Sequence, residues 1–238
     1  ALDMRPELWA ALVLRPEGYQ SAPDVLRMKP AAKDRPLPVL ESQAPRPADP
    51  ARYAEAVAWV TRTNDALLLK WYVAHDTSPF TNKGKDWTSL FKTGDACDLQ
   101  IASPALGTCR YLITMFDDKP AVVRFRYDAE DATADQSVTY KSPVSELLVP
   151  VVERLPIEPK VERGADWYTV QVAIPWNVLG IVPKGGMKIP AELGVLRSDP
   201  TGTQTARRDY WHSGLSGMVN DVPTEVKPTA NWGSLSIE

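Results

Sequence analysis

Short runs of apolar or alternating residues, separated by turn residues, recur along most of this chain. Residues 67–73 are almost continuously apolar, which is typical of a strand covered on both faces. In residues 97–101 and 168–174 apolar and polar side chains alternate with the period of two that is expected of a half-buried strand. Turn signals follow every ~8–12 residues and no helical period is sustained, so the pattern predicts an all-β sandwich or barrel.

The pattern gives approximate strand positions. Strands are predicted at 66–74, 96–102, 108–116, 121–127, 167–174, 193–198, 209–211 and 232–237, with shorter ones at 54–60, 138–140, 147–155 and 161–162. Residues 8–14 suit either a strand or a short helix. Pro175 should end its strand and lead into one helical turn at 176–180.

A long polar loop joins the strands predicted at 66–74 and 96–102. It carries side chains that can hold a ligand, namely His75, Asp76, Asn82, Asp86, Trp87 and Phe91, and Asp95 closes it. Binding residues tend to collect in loops on a rigid scaffold. We therefore expect this loop to form an open rim at the edge of a sheet and to be the binding site.

Composition excludes several classes of partner. A net charge of −3 and a pI near 5.6 give no basic surface for nucleic acid or an anionic membrane. The apolar runs fall short of the ~20 residues that span a bilayer. The sequence begins at Ala1 without an initiator Met, and we expect any signal peptide to have been removed or to lie outside it.

The two cysteines are predicted to be free and buried. If residues 104–106 form the turn of a hairpin, Cys109 faces Ile101 and Cys97 faces about Ile113. That register leaves the two cysteines roughly four residues apart, or ~13 Å, which is too far for a disulfide.

Residues 1–50 are rich in proline, which fixes φ and removes backbone donors. We expect them to form an extended arm packed on the body of the protein, with residues 51–238 as one ligand-binding domain.

Five segments together resemble the family 9 carbohydrate-binding modules and the wider DOMON-like sandwiches. They are DALLL at 65–69, VAHD at 73–76, GDACDL at 94–99, YTVQVAIPW at 168–176 and NWGSL at 231–235. The resemblance implies an antiparallel β-sandwich of the jelly-roll or immunoglobulin-like type, usually an accessory module of a secreted, periplasmic or cell-surface bacterial protein. It also implies that a saccharide is held between two loop aromatics and that structural calcium is often bound. Phe91 or Trp87 occupies the first aromatic position, whereas residues 222–228, at the second, contain no aromatic.

These observations predict a non-catalytic module that binds a saccharide at the loop rim. Trp87 and Phe91 would stack on the sugar ring, and His75, Asn82 and Arg208 would supply polar contacts. Asp76, Asp86 and Asp95 offer the oxygen ligands that calcium prefers. Turn capping is the alternative role for these carboxylates, and bracing of a neighbouring carboxylate is the alternative for Arg208.

Two other functions stay open. Haem b binding for electron transfer, as in some DOMON-like domains, would use Met115 or His75 as an axial ligand. A structural or assembly role in a larger protein would use the proline-rich arm against other domains or chains. Motifs of common enzyme classes, such as the P-loop or Gly-x-Ser-x-Gly, are missing.

Overall fold

The computed structural model describes residues 11–14, 25–28, 56–74, 76, 79–213 and 221–237. These residues form strands β1 (Ala11–Leu14), β2 (Val25–Met28), β3 (Ala56–Arg62), β4 (Ala66–Ala74), β5 (Ala96–Ser103), β6 (Gly107–Phe116), β7 (Lys119–Arg126), β8 (Val138–Lys141), β9 (Glu146–Val149), β10 (Val151–Leu155), β11 (Lys160–Arg163), β12 (Trp167–Pro175), β13 (Lys188–Ser198), β14 (Thr205–Tyr210) and β15 (Gly233–Ile237). The helices are α1 (Leu90–Thr93), preceded by a 3-10 turn at Trp87–Ser89, α2 (Trp176–Leu179) and α3 (Val222–Val226).

The strands form two large sheets. One has five strands in the order β1-β3-β4-β12-β11. The other has the order β10-β7-β6-β5-β13-β15-β2, and β14 also pairs with β13. Neighbours are antiparallel except β15 and β2, which are parallel. The predicted all-β, antiparallel sandwich is confirmed.

The main core lies between these sheets and is built by alternate side chains of both. Leu69 and Trp71 of β4 and Val170 of β12 belong to the same buried cluster as Leu99 of β5 and Tyr111 of β6. Because successive strand residues point to opposite faces, the other half of each strand faces outward. In the eight-stranded sheet, several outward-facing residues belong to a second buried cluster.

A third layer covers the outer face of the eight-stranded sheet. It consists of the β8–β9 hairpin, α1 and α3, and its apolar side chains form a second core that includes Phe91, Phe125, Tyr140 and Val226. The alternation in residues 97–101 predicted a strand with one solvated face. That prediction is wrong, because the polar side chains on this face, such as Asp98, are also fully buried.

The register of the β5–β6 hairpin is the predicted one. Ile101 pairs with Cys109, and Cys97 pairs with Ile113. Both cysteines are free and buried, as expected from that spacing. The segment predicted as one strand at 147–155 is divided into β9 and β10 around Pro150, since proline cannot donate to a sheet ladder.

Two pieces of the proline-rich segment are described, and both are strands. β1 pairs with β3 in one sheet, and β2 pairs with β15 in the other. The rest of residues 1–50 lies outside the described residues, so an arm ending at residue 50 stays a prediction. In the described part of the chain, no helix is long and apolar enough to span a membrane.

Candidate functional site

Residues 79–95, the described stretch of the loop before β5, are held in place by polar side chains. Asn82 is its central residue: Nδ2 donates to the Leu90 carbonyl at 2.8 Å and to Thr114 Oγ1 at 3.0 Å. Asn82 Oδ1 accepts from the Gly84 amide at 3.1 Å and from Thr93 Oγ1 at 2.8 Å. Because Asn82 is buried and uses both ends of its amide, the structure places it as a support of the loop.

Asp86 caps the 3-10 turn that follows it. Its carboxylate accepts from the Thr88 amide at 2.9 Å, from Thr88 Oγ1 at 2.8 Å and from Ser89 Oγ at 2.9 Å. Partial burial raises the pKa of Asp86, but these hydrogen bonds outweigh it and lower the pKa overall. The carboxylate is therefore ionised and engaged within its own turn.

Asp95 joins the loop to the sheet from a fully buried position. Its Oδ2 accepts from the Thr81 amide and its Oδ1 from the Ser198 amide, both at 2.6 Å. Burial is the main cause that raises the pKa of Asp95 to about 7, and the charge of Asp76 adds to it. The hydrogen bonds from the two backbone amides lower the pKa, but by less than burial raises it.

The three carboxylates predicted as calcium ligands lie in different surroundings. Asp76 and Asp95 are close enough to interact electrostatically, whereas Asp86 lies on the exposed turn. Among the described residues, no group of three or more His, Cys, Asp or Glu side chains could hold a metal ion. Backbone amides donate to two of the three carboxylates, Asp86 and Asp95, and calcium binding by this loop stays a prediction.

Trp87 and Phe91 both contact the second core but differ in how far they are buried. The Trp87 side chain is half-buried and packs on the edge of the second core. Phe91 has no exposed surface, since its ring packs edge-on against Phe125 at 5.9 Å and Tyr140 at 5.6 Å between centroids. Part of Trp87 is therefore accessible from solvent, whereas Phe91 is not.

Arg208 lies in the second core and braces α3. Its Nη2 donates to Glu225 Oε2 at 3.0 Å and to the Phe91 carbonyl at 3.1 Å, while Nη1 donates to the Glu225 carbonyl at 3.1 Å. Glu225 and Arg208 are both more than nine-tenths buried. Arg208 therefore braces a neighbouring carboxylate, and its buried guanidinium does not lie exposed beside Trp87.

His75 lies outside the described residues. The structure thus brings Asn82, Asp86 and Trp87 together in one loop, where Asn82 and Asp86 shape the backbone and Trp87 is on the surface. The exposed part of the loop is its polar strip 83–86.

Sequence reasoning missed a buried ion pair beneath α3. Arg110 of β6 and Asp98 of β5 are diagonal neighbours on the outer side of the sheet, both with 0% exposure, and Nη2 lies 2.9 Å from Oδ2. Tyr210 donates to the same carboxylate at 2.9 Å, and Gln100 donates at 3.1 Å. The only sequence signal was a charged residue at the outward position of each strand, which ordinarily indicates contact with solvent.

A second missed residue is Glu192, a buried carboxylate on β13. It accepts from the backbone amides of Leu193 at 2.9 Å, His212 at 2.9 Å and Ser213 at 3.1 Å. Burial raises the pKa of Glu192 to about 7, although these amides oppose the shift. Glu192 therefore holds the chain just after β14 in place.

No family model matches the sequence, and no curated protein matches it. Among solved structures, the chain is similar to a family 9 carbohydrate-binding module from Caldicellulosiruptor kristjanssonii. Its complex with glucose gives a TM-score of 0.42 at 13% identity over 77% of this chain and 76% of that chain. Its complex with cellotriose gives 0.40 at 13% identity over 77% and 74%.

A candidate carbohydrate-binding protein from Bacteroides uniformis ATCC 8492 is also similar. Its TM-score is 0.42 at 11% identity, over 97% of this chain and 87% of that chain.

Proposed function

We propose that this chain is a non-catalytic module that binds a saccharide on the face of Trp87. The observation that carries the proposal is a half-buried indole on a fixed turn beside an exposed polar strip. A flat apolar ring bordered by hydrogen-bonding groups matches the apolar face and polar edge of a pyranose. The sequence motifs that resemble family 9 carbohydrate-binding modules support the same function.

The turn that carries Trp87 is held from several directions. Asp86 caps it, and Leu90, which follows it, is fully buried in the second core. The Thr88 carbonyl accepts from Tyr140 Oη at 2.7 Å, which ties the turn to the β8–β9 hairpin. Because little of this backbone remains to be ordered on binding, the entropic cost of contact with a ligand is reduced.

The setting of such a module is part of the proposal. We propose that it acts outside the cytoplasm as an accessory part of a larger bacterial protein, where it would bring its partner domains to a saccharide. Asn82, Asp86 and Asp95 would contribute indirectly by shaping the loop, since each is occupied by contacts within the protein.

The test is calorimetric titration with oligosaccharides chosen from a glycan array, applied to the wild type and to Trp87→Ala. Loss of the stacking ring should weaken binding at least ~10-fold, which corresponds to ~1.4 kcal/mol. Trp232→Ala is the matched control, because Trp232 is also half-buried but lies next to β15, and it should leave affinity unchanged.

Circular dichroism should show that both variants keep the β-sheet signal. The proposal fails if the wild type binds no saccharide on the array, or if Trp87→Ala binds as tightly as the wild type.

A further inference from the structure

Two exposed lysines lie beside Trp87 in the sequence Lys83-Gly84-Lys85-Asp86-Trp87. Neither Lys83 nor Lys85 takes part in an ion pair within the part of the chain that the structure describes. Some other exposed lysines do lie in ion pairs: Lys141 lies 3.1 Å from Glu146, and Lys160 lies 2.7 Å from Glu162.

The backbone between the two lysines is held in place. The Lys83 amide donates to the Gly202 carbonyl at 2.8 Å, and the Gly84 amide donates to Asn82 Oδ1. A Cβ on Gly84 would come within 2.3 Å of Thr93 Oγ1 and 2.8 Å of Leu90 Cδ2. Because Gly84 is packed against the loop interior, the flanking lysines extend from a fixed turn toward solvent.

The acidic residue in this strip does not neutralise the lysines by direct contact. Asp86 directs its carboxylate oxygens to Thr88 and Ser89, as described above. The exposed strip 83–86 therefore carries two ammonium groups and one carboxylate, a net charge of +1, although the chain as a whole carries a net charge of −3. A local excess of positive charge favours an anionic ligand.

We propose that the Trp87 surface recognises acidic saccharides, with Lys83 and Lys85 contacting the carboxylate groups of uronic-acid residues. This inference rests on the proposed function, because it needs a sugar ring on the indole. Each ammonium donates to a ligand carboxylate, and the indole covers the apolar face of the ring. The contacts are solvent-exposed, so salt should screen them and weaken binding.

The experiment compares hexagalacturonate and hexamannuronate with neutral cellohexaose, titrated calorimetrically at low and high salt. At least one uronate should bind ~10-fold more tightly than cellohexaose at low salt, and this difference should shrink as salt is added. Lys83→Gln/Lys85→Gln should reduce uronate affinity ~10-fold and leave any cellohexaose affinity within about twofold.

The control is Lys184→Gln/Lys188→Gln, which removes two exposed lysines near the start of β13, far along that strand from Ser198 and the rim loop. It should bind uronates like the wild type. Equal losses in both double variants would overturn the inference, because they would show an effect of net charge alone.

The two proposals fail in different ways. If cellohexaose binds as tightly as either uronate and Trp87→Ala abolishes that binding, the acidic specificity is overturned and the saccharide-binding function stands. If neither the three oligomers nor any array glycan binds, both are overturned. If a uronate binds but Lys83→Gln/Lys85→Gln does not weaken it, the role of the lysines is overturned.

Discussion

Replacing Arg110, which lies on β6 beneath α3, by Met should be among the most destabilising changes to the contact between the sheet and the third layer. The guanidinium is fully buried, with Nε 3.1 Å from both oxygens of Asp98 and Nη2 2.9 Å from Oδ2. Nη1 donates to the carbonyls of Glu225 at 3.0 Å and Val226 at 3.2 Å, at the end of α3. Met fills similar space but supplies none of these contacts.

The expected loss of stability depends on which hydrogen bonds the former partners of Arg110 retain in the variant. The Glu225 carbonyl still accepts from Arg208, and the Val226 carbonyl still accepts from Tyr127 Oη, so the carbonyls lose little. Asp98 keeps Tyr210 and Gln100 but becomes a buried charge without a cation. Breaking one side of a buried pair in this way costs ~3–5 kcal/mol.

Urea unfolding followed by tryptophan fluorescence and circular dichroism measures this loss as a lower transition midpoint at constant m. Asp98→Asn should cost a comparable amount, and the double variant Asp98→Asn/Arg110→Met should cost less than the sum of the two. Lys160→Met, which breaks the exposed pair with Glu162, is the control and should cost under ~1 kcal/mol.

A loss of less than ~1 kcal/mol for Arg110→Met, with additive effects in the double variant, would refute the reasoning. It would mean that water reaches the pair and that α3 does not cover this face of the sheet.

Three further outcomes are expected. Gly84→Ala should lower stability by ~1–3 kcal/mol and weaken saccharide binding, because its Cβ would collide with Thr93 and Leu90; wild-type urea midpoints and affinities would contradict this. Asp86→Ala should cost ~1 kcal/mol through loss of the N-cap, whereas Asp86→Asn should cost less in the same urea assay. Burial raises the pKa of Asp95 and Glu192 to about 7, so both carboxyls bind protons more tightly in the folded than in the unfolded state. Their contribution to stability is therefore full below about pH 4 and is lost as the pH rises through 7. Urea unfolding at pH 5 and pH 8 should therefore show a decline that is smaller in Asp95→Asn and Glu192→Gln, and an unchanged slope in both variants would contradict it.

The sandwich could be predicted because its strands follow the simple rules of alternation and turn composition. The β5–β6 register followed from the turn, and Pro175 marked the end of β12. The third layer could not be predicted in this way. Its apolar residues are scattered over a short hairpin and two helices of four and five residues, which leave no period to detect.

The same limit applies to the site. The sequence offered Phe91 or Trp87 for the stacking position, and packing against Phe125 and Tyr140 shows that Phe91 is the buried one. Acidic residues in loops can cap, brace or bind metal, and Asp86 caps its turn while Asp95 holds backbone amides. Which role prevails depends on neighbours that are distant in sequence, such as Ser198 beside Asp95.

The most direct test of the account is to follow the indole N–H signals of the eight tryptophans by NMR during a saccharide titration. Trp87→Phe assigns the Trp87 signal by its disappearance. The account predicts that this signal shifts most and saturates with the calorimetric affinity. A titration that shifts another indole signal while that of Trp87 stays in place would contradict it.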